Sequence, residues 1–90
     1  MLMTKYQISF STLAEVQFLK LDKSIKERIS KRIQHMTIEP TGRHLHHGLG
    51  FFVIGLGQYR IVYKVKNTIK VIFFVGNHKE YEKWFRSTND

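Results

Sequence analysis

The apolar residues of this chain change their period across Pro40. Before it, Ile25, Ile29, Ile33 and Met36 recur at helical spacing and form one stripe. After it, Tyr59, Ile61, Tyr63 and Val65 alternate with Arg60, Val62 and Lys64, the period of a half-buried strand. With 90 residues there is room for one core and no second lobe. Helices before strands, around one core, predict an α+β fold. The length excludes a doubly wound nucleotide-binding fold and a barrel enzyme.

Smaller signals fill in this frame. Residues 5–10 alternate, with Tyr6, Ile8 and Phe10 on one side, and predict a first strand. Thr12 and Glu15 have capping-box spacing. Leu13, Val16 and Leu19 follow at helical spacing and predict a short helix to about Leu21. Ser24 and Glu27 repeat the capping pattern for a second helix, which Pro40 ends near Ile38. Thr41 to Gly50 reads as a loop rich in Gly and His.

Phe51–Leu56 reads as a strand, and Gly57-Gln58 as a two-residue turn with glycine at positive φ. Tyr59 to Val65 forms the next strand, Lys66-Asn67-Thr68 turns the chain, and Ile69 to Val75 is an apolar, central strand. Asn77 caps a last helix with Glu80 three residues on, and Tyr81, Trp84 and Phe85 share a face of it. The order is β-α-α-β-β-β-α. A helical hairpin packs on one face of a largely antiparallel four-stranded sheet, and residues 1–90 form a single domain. The other face is left to the last helix and to whatever binds.

Charge narrows the partners. Fifteen Lys and Arg against seven Asp and Glu give +8. Such a chain attracts polyanions: nucleic acid, an anionic membrane or an acidic protein. There is no Cys, so disulfides, thiolate metal sites and cysteine nucleophiles are excluded. The opening Met1-Leu2-Met3-Thr4-Lys5 carries no charged leader before an apolar stretch, so no signal peptide is expected. The longest strictly apolar run, Val71–Val75, falls far short of the roughly 20 residues of a membrane span.

The candidate chemistry is basic. Arg60, on a strand and out of phase with its core residues, can offer a phosphate paired hydrogen bonds. The alternative is a solvated arginine on an open sheet face. Gly76-Asn77-His78-Lys79-Glu80-Tyr81 follows the most apolar strand and opens a helix. It offers an imidazole, an ammonium and a phenol on a rigid support. RNA cleavage without metal needs such groups: one to take the 2′-OH proton, one to protonate the leaving 5′-oxygen, and a cation for the phosphorane. The bland reading of the same block is a helix cap.

His44, His46 and His47 resemble metal ligands, but no carboxylate or Cys shares their segment. Phosphate or base contact by Arg43, His46 and His47 is the better reading, beside that of plain loop residues. Arg28, Lys31, Arg32 and His35 form a basic helix face that binds nucleic acid or is simply solvated. Phe51, Phe52, Tyr81 and Trp84 can stack on bases, although aromatics at this spacing more often fill a core.

Gly57-Gln58-Tyr59-Arg60-Ile61-Val62-Tyr63-Lys64-Val65 resembles the G-x-Y-R-hydrophobic-hydrophobic-Y strand of the RelE/ParE toxin superfamily. The element order matches that superfamily from Tyr6 to Phe85. Gly76-Asn77-His78-Lys79-Glu80-Tyr81 looks like the G-x-H-x-x-Y ending of HigB-like members. The resemblance implies a toxin of a type II toxin–antitoxin pair. RelE- and HigB-like members cut mRNA in the ribosomal A site without metal or cofactor, leaving 2′,3′-cyclic phosphate and 5′-hydroxyl ends. ParE members share the fold and inhibit DNA gyrase without nuclease chemistry.

Carried onto this sequence, the resemblance makes Arg60, His78 and Tyr81 the catalytic set. Lys79, Lys64, Arg43, His46, His47 and Trp84 then contact RNA. It implies a cognate antitoxin as partner, operator DNA bound only through that complex, no membrane, and a cytoplasmic location. One departure stands out. RelE carries two lysines on the strand before the Y-R strand, and Phe51–Leu56 has none. Acid–base work then falls to His78, Lys79 or the histidine loop. The same departure leaves open a ParE-like gyrase inhibitor, or a degenerate toxin that only binds its partner.

Overall fold

A computed structural model describes residues 5–39 and 50–88. The elements are β1 (Gln7–Phe10), α1 (Thr12–Leu19), α2 (Lys23–Met36), β2 (Phe52–Leu56), β3 (Tyr59–Lys66), β4 (Ile69–Asn77) and α3 (His78–Thr88). The sheet order is β1-β4-β3-β2. β3 runs antiparallel to both β2 and β4, while β1 lies parallel to β4. The α+β class, the element order and the central place of β4 are those the sequence predicts.

α1 and α2 cover one face of the sheet. Ala14, Ile29 and Met36 pack there on Phe52, Ile54, Ile61, Tyr63, Ile72 and Val75. α3 covers part of the other face, where Tyr81 and Trp84 pack on Phe51, Val62 and Phe74. Phe51 and Phe52 are thus core aromatics on opposite faces of the sheet.

The helix starts differ from the spacing argument. Ser11, not Thr12, caps α1, and its Oγ accepts the Ala14 N–H at 3.1 Å. Ser11 is still extended because its own N–H continues the β1–β4 ladder to the Ile72 carbonyl. α2 begins at Lys23 after Asp22, so Ser24 lies inside the helix and forms no cap. The stripe that signals α1 also points outward: Leu13, Val16 and Leu19 are 49%, 43% and 61% exposed. The face turned to the sheet is Ala14, Gln17, Phe18 and Leu21. The tie of Ser11 to β4 sets this phase.

β4 outruns β1. Beyond Ile72, the Val75 N–H is satisfied by the Gln17 side chain at 2.9 Å and the Asn77 N–H by Glu80 at 2.9 Å. β4 also carries a bulge. Val62 pairs with Phe74 but Tyr63 with Ile72, so Phe73 has no partner and joins Phe74 on the α3 side. The extra residue turns Ile72 and Lys70 toward α2. Lys70 is fully buried there, and its Nζ donates to the carbonyls of Met36 and Glu39, both at 2.8 Å. The cation also lies 4.3 Å from the Tyr6 ring centre. It satisfies the Met36 carbonyl, which the last turn of α2 leaves open, and the Glu39 carbonyl in the segment beyond the helix.

Candidate active site

The tip of β2–β3 and the start of α3 enclose a cleft of about 520 Å³, lined by Gly57, Gln58, Arg60, Asn77, His78 and Lys79. Two local structures build it. Gly57 takes φ 61° in the turn, a conformation glycine adopts without strain. Asn77 and Glu80 form a reciprocal capping box, with Glu80 N–H to Asn77 Oδ1 at 2.8 Å and Asn77 N–H to Glu80 Oε1 at 2.9 Å. The His78 N–H donates to the Gln58 carbonyl at 2.6 Å and ties the two walls together.

Arg60 sits in a row without neighbouring side chains. Its partner on β2 is Gly55 and its partner on β4 is Gly76. The guanidinium lies along the bare side of Gly55, where a Cβ would be 3.6 Å from Nη1. Nη1 donates to the Gly57 and Tyr59 carbonyls, both at 2.8 Å. Nε and Nη2 have no protein acceptor among the described residues. This leaves one edge of the fork for a bidentate contact with a phosphate.

His78 opens α3, and its Nε2 lies 2.6 Å from Glu82 Oε1. Lys79, beside it, is exposed. Tyr81 is half-buried, one turn into α3, with ring centres 6.1 Å from Phe74 and 6.4 Å from Trp84. Burial pushes its hydroxyl above the ordinary tyrosine range, and the nearby charge of Arg60 pulls in the opposite direction. Tyr81 is not among the residues that line the cleft, although it lies near enough for the Arg60 charge to act on its hydroxyl.

The remaining predicted residues are placed apart from this cleft. Trp84 packs between Phe51 and Phe74, at 5.4 and 5.3 Å between ring centres. Lys64 is four residues along β3 from Arg60, roughly 13 Å at strand rise, with Nζ 4.6 Å over the Phe51 ring. Arg43, His44, His46 and His47 lie outside the described residues. The basic face of α2 is divided. Arg32 and His35 are engaged by Glu39, at 2.8 and 3.5 Å. Arg28 instead leans toward the cleft rim, its Nη2 3.4 Å from where a Cβ on Gly57 would be.

Sequence reasoning passed over Gln58, Glu82 and the flanking glycines. The spacing of His78 and Glu82, four apart on a helix, was a usable signal. The glycines gain meaning only from strand register. Among the described residues, no group of three or more His, Asp or Glu is gathered to hold a metal ion. No helix among them is long and apolar enough to cross a membrane.

The sequence profile of the ParE toxin of type II toxin–antitoxin systems (parDE) matches residues 8–81. The chain belongs to the ParE toxin family. It is a type II toxin of the RelE/ParE superfamily, and its structure is similar to several solved RelE proteins. A RelBE toxin–antitoxin complex from Mycobacterium tuberculosis aligns with TM-score 0.75 and 28% identity, covering 84% of this chain and 94% of that one. A mutant of E. coli RelE in the free state aligns with TM-score 0.77 and 21% identity, over 94% and 96% of the two chains. The intact E. coli RelBE complex gives 0.70 and 24%, over 80% and 95%. Among curated proteins none matches. The ParE family and the RelE fold meet in this chain, and their common fold does not separate gyrase inhibition from RNA cleavage.

Proposed function

We propose that this toxin is a metal-independent, ribosome-dependent mRNA endonuclease that inhibits translation. The observation that carries the reading is the shared cleft of Arg60, His78 and Lys79, with one edge of the Arg60 guanidinium open toward a ligand. In this reading the 2′-oxygen attacks the adjacent phosphorus as His78 takes its proton. The free edge of Arg60 stabilises the negative charge gathering on the phosphorane. The P–O5′ bond breaks as the Lys79 ammonium gives its proton to the leaving 5′-oxygen, and the ends are a 2′,3′-cyclic phosphate and a 5′-hydroxyl. Tyr81 orients the substrate, and Lys79 and Lys64 hold flanking phosphates. Arg28, at the cleft rim, adds to the field that draws RNA in.

The partners follow from charge and from the solved complexes. A chain of net charge +8 suits an acidic antitoxin segment laid over this cleft. The similar structures include toxins bound to their antitoxins. Operator DNA would be reached only through such a complex, in the cytoplasm.

Primer extension on a defined mRNA, with and without programmed ribosomes and with EDTA in the ribosome-free arm, tests the proposal. Cuts at the A-site codon are expected. Loss of one oriented charge donor is worth about 2–4 kcal/mol, so Arg60→Ala should slow cleavage about 30- to 1,000-fold. Unchanged cleavage by that variant sinks the assignment. The match to the ParE profile, with no lysine on Phe52–Leu56, favours a second reading, a gyrase inhibitor without nuclease activity. Loss of gyrase supercoiling with no RNA cut in any arm selects it.

A further inference from the structure

The cations of α2 divide by what holds them. Arg32 and His35 are engaged by Glu39, and Lys26 Nζ donates to the Leu19 carbonyl at 3.1 Å. Arg28 is exposed, and no acceptor for it stands among the described residues. The residues one turn away on the helix are Ser24, Ile25, Lys31 and Arg32, so no carboxylate is placed to pair with it. Two like charges stand there instead, which weakens a helix. The charge of Arg28 therefore does not serve α2.

Its tip reaches the end of the sheet. Arg28 Nη2 lies against the bare side of Gly57, 3.4 Å from where a Cβ would be. Arg60 meets the same glycine from the other direction. It shares the α3 side of β3 with Val62, whereas α2 packs on the opposite face through Ile29 and Met36. Arg60 Nη1 donates to the Gly57 carbonyl at 2.8 Å. The hairpin tip thus stands between two guanidinium groups. The bond lengths of one residue put these two nitrogens within about 10 Å of each other.

Two open guanidinium groups at this separation suit an anion that repeats along a chain. Planar forks take phosphates by paired hydrogen bonds. One nucleotide of an extended strand, with a hydrogen bond at each end, bridges such a gap. The cations continue into the cleft through His78 and Lys79, as in grooves that follow a single-stranded backbone. We propose that Arg28 and Arg60 form a clamp about Gly57 for the phosphates of consecutive nucleotides in single-stranded RNA. Arg60 holds the scissile phosphate and Arg28 its neighbour. The word scissile rests on the nuclease reading; the contact of Arg28 with RNA does not.

The test is binding of a 2′-O-methylated single-stranded RNA, which has no 2′-OH to react, to the full-length toxin over a range of salt. One phosphate contact adds about 0.7 to the slope of log affinity against log salt. Arg28→Gln should remove about that much, and Arg28→Lys should keep it. Lys23→Gln makes the same charge change on exposed α2 surface, about 140° around the helix from Arg28, and should leave the slope nearly unchanged. In the ribosome assay, Arg28→Gln should raise KM with kcat nearly unchanged, because Arg28 does not touch the reacting atoms. Equal losses of slope in Arg28→Gln and Lys23→Gln reduce Arg28 to a share of the general field and overturn the proposal. An unchanged slope in Arg28→Gln overturns it too, even if that variant binds a polyglutamate peptide more weakly. So does a wild type that binds no RNA. A wild type that binds the methylated RNA through Arg28 but cuts no natural RNA keeps the clamp and removes only the nuclease reading.

Discussion

Lys70 offers the sharpest test of how the sheet holds α2. Lys70→Met keeps the aliphatic length and removes the two donors that reach the Met36 and Glu39 carbonyls. Each carbonyl left without a partner costs about 1–3 kcal/mol. Removing a desolvated cation offsets part of that, so the variant should lose about 2–4 kcal/mol at neutral pH. A small domain has roughly 5–15 kcal/mol in all, so the urea midpoint should fall by about 1–3 M.

The loss should also depend on pH. Burial holds the Lys70 ammonium below its ordinary 10.5, with Glu39 partly countering this. Between that lowered value and 10.5 the unfolded chain binds more protons at this site than the folded one. Wild-type stability therefore rises with pH through the window, relative to a variant with no amine. The neutral amine still has two N–H groups for the two carbonyls. Urea titrations of both proteins at neutral pH and at pH values approaching 10.5 should show the gap widening as the window is crossed. Equal midpoints at neutral pH, or a gap that narrows with pH, would refute the account.

Three further outcomes are expected. A Cβ at Gly76 would lie 2.8 Å from Phe74 Cζ and 3.0 Å from Glu80 Oε1, so Gly76→Ala should cost about 1–3 kcal/mol by overpacking and disturb the α3 cap; calorimetry with circular dichroism checks both. Leu19→Ala should change stability by less than about 0.5 kcal/mol, whereas Ile29→Ala in the core should cost about 2–5 kcal/mol, as read from denaturant midpoints. The charge of Arg60 lowers the Tyr81 hydroxyl pKa, so Arg60→Ala should move the Tyr81 titration upward, measured by ultraviolet absorbance with Tyr81→Phe as the reference.

Local chemistry made much of this molecule legible. The Gly57-Gln58 turn, the phase of β3 and the Asn77–Glu80 box depend on neighbours in sequence and stand as the residues predict. What depended on long-range register was hidden. An apolar run over Val71–Val75 does not reveal the Phe73 bulge, and without the bulge nothing marks Lys70 as buried. Leu13, Val16 and Leu19 reveal a helix but not its packed face, because the tie of Ser11 to β4 chose the phase. The site divides likewise. Arg60, His78 and Lys79 stood out by type and position, while Gly55 and Gly76 matter only as the neighbours of Arg60 across the sheet.

The short reach of β1 has a bearing on how these chains meet one another. A strand end with open amides is a template onto which another molecule's strand can add, and sheets that expose one tend to join edge to edge. Here the Val75 and Asn77 amides on the overhang of β4 are taken by the side chains of Gln17 and Glu80, which compete with any added strand for them. A newly made copy waiting for its partner thus presents, where β4 outruns β1, amides already taken by its own helices, and leaves β1 and β2 as the outer strands of its sheet.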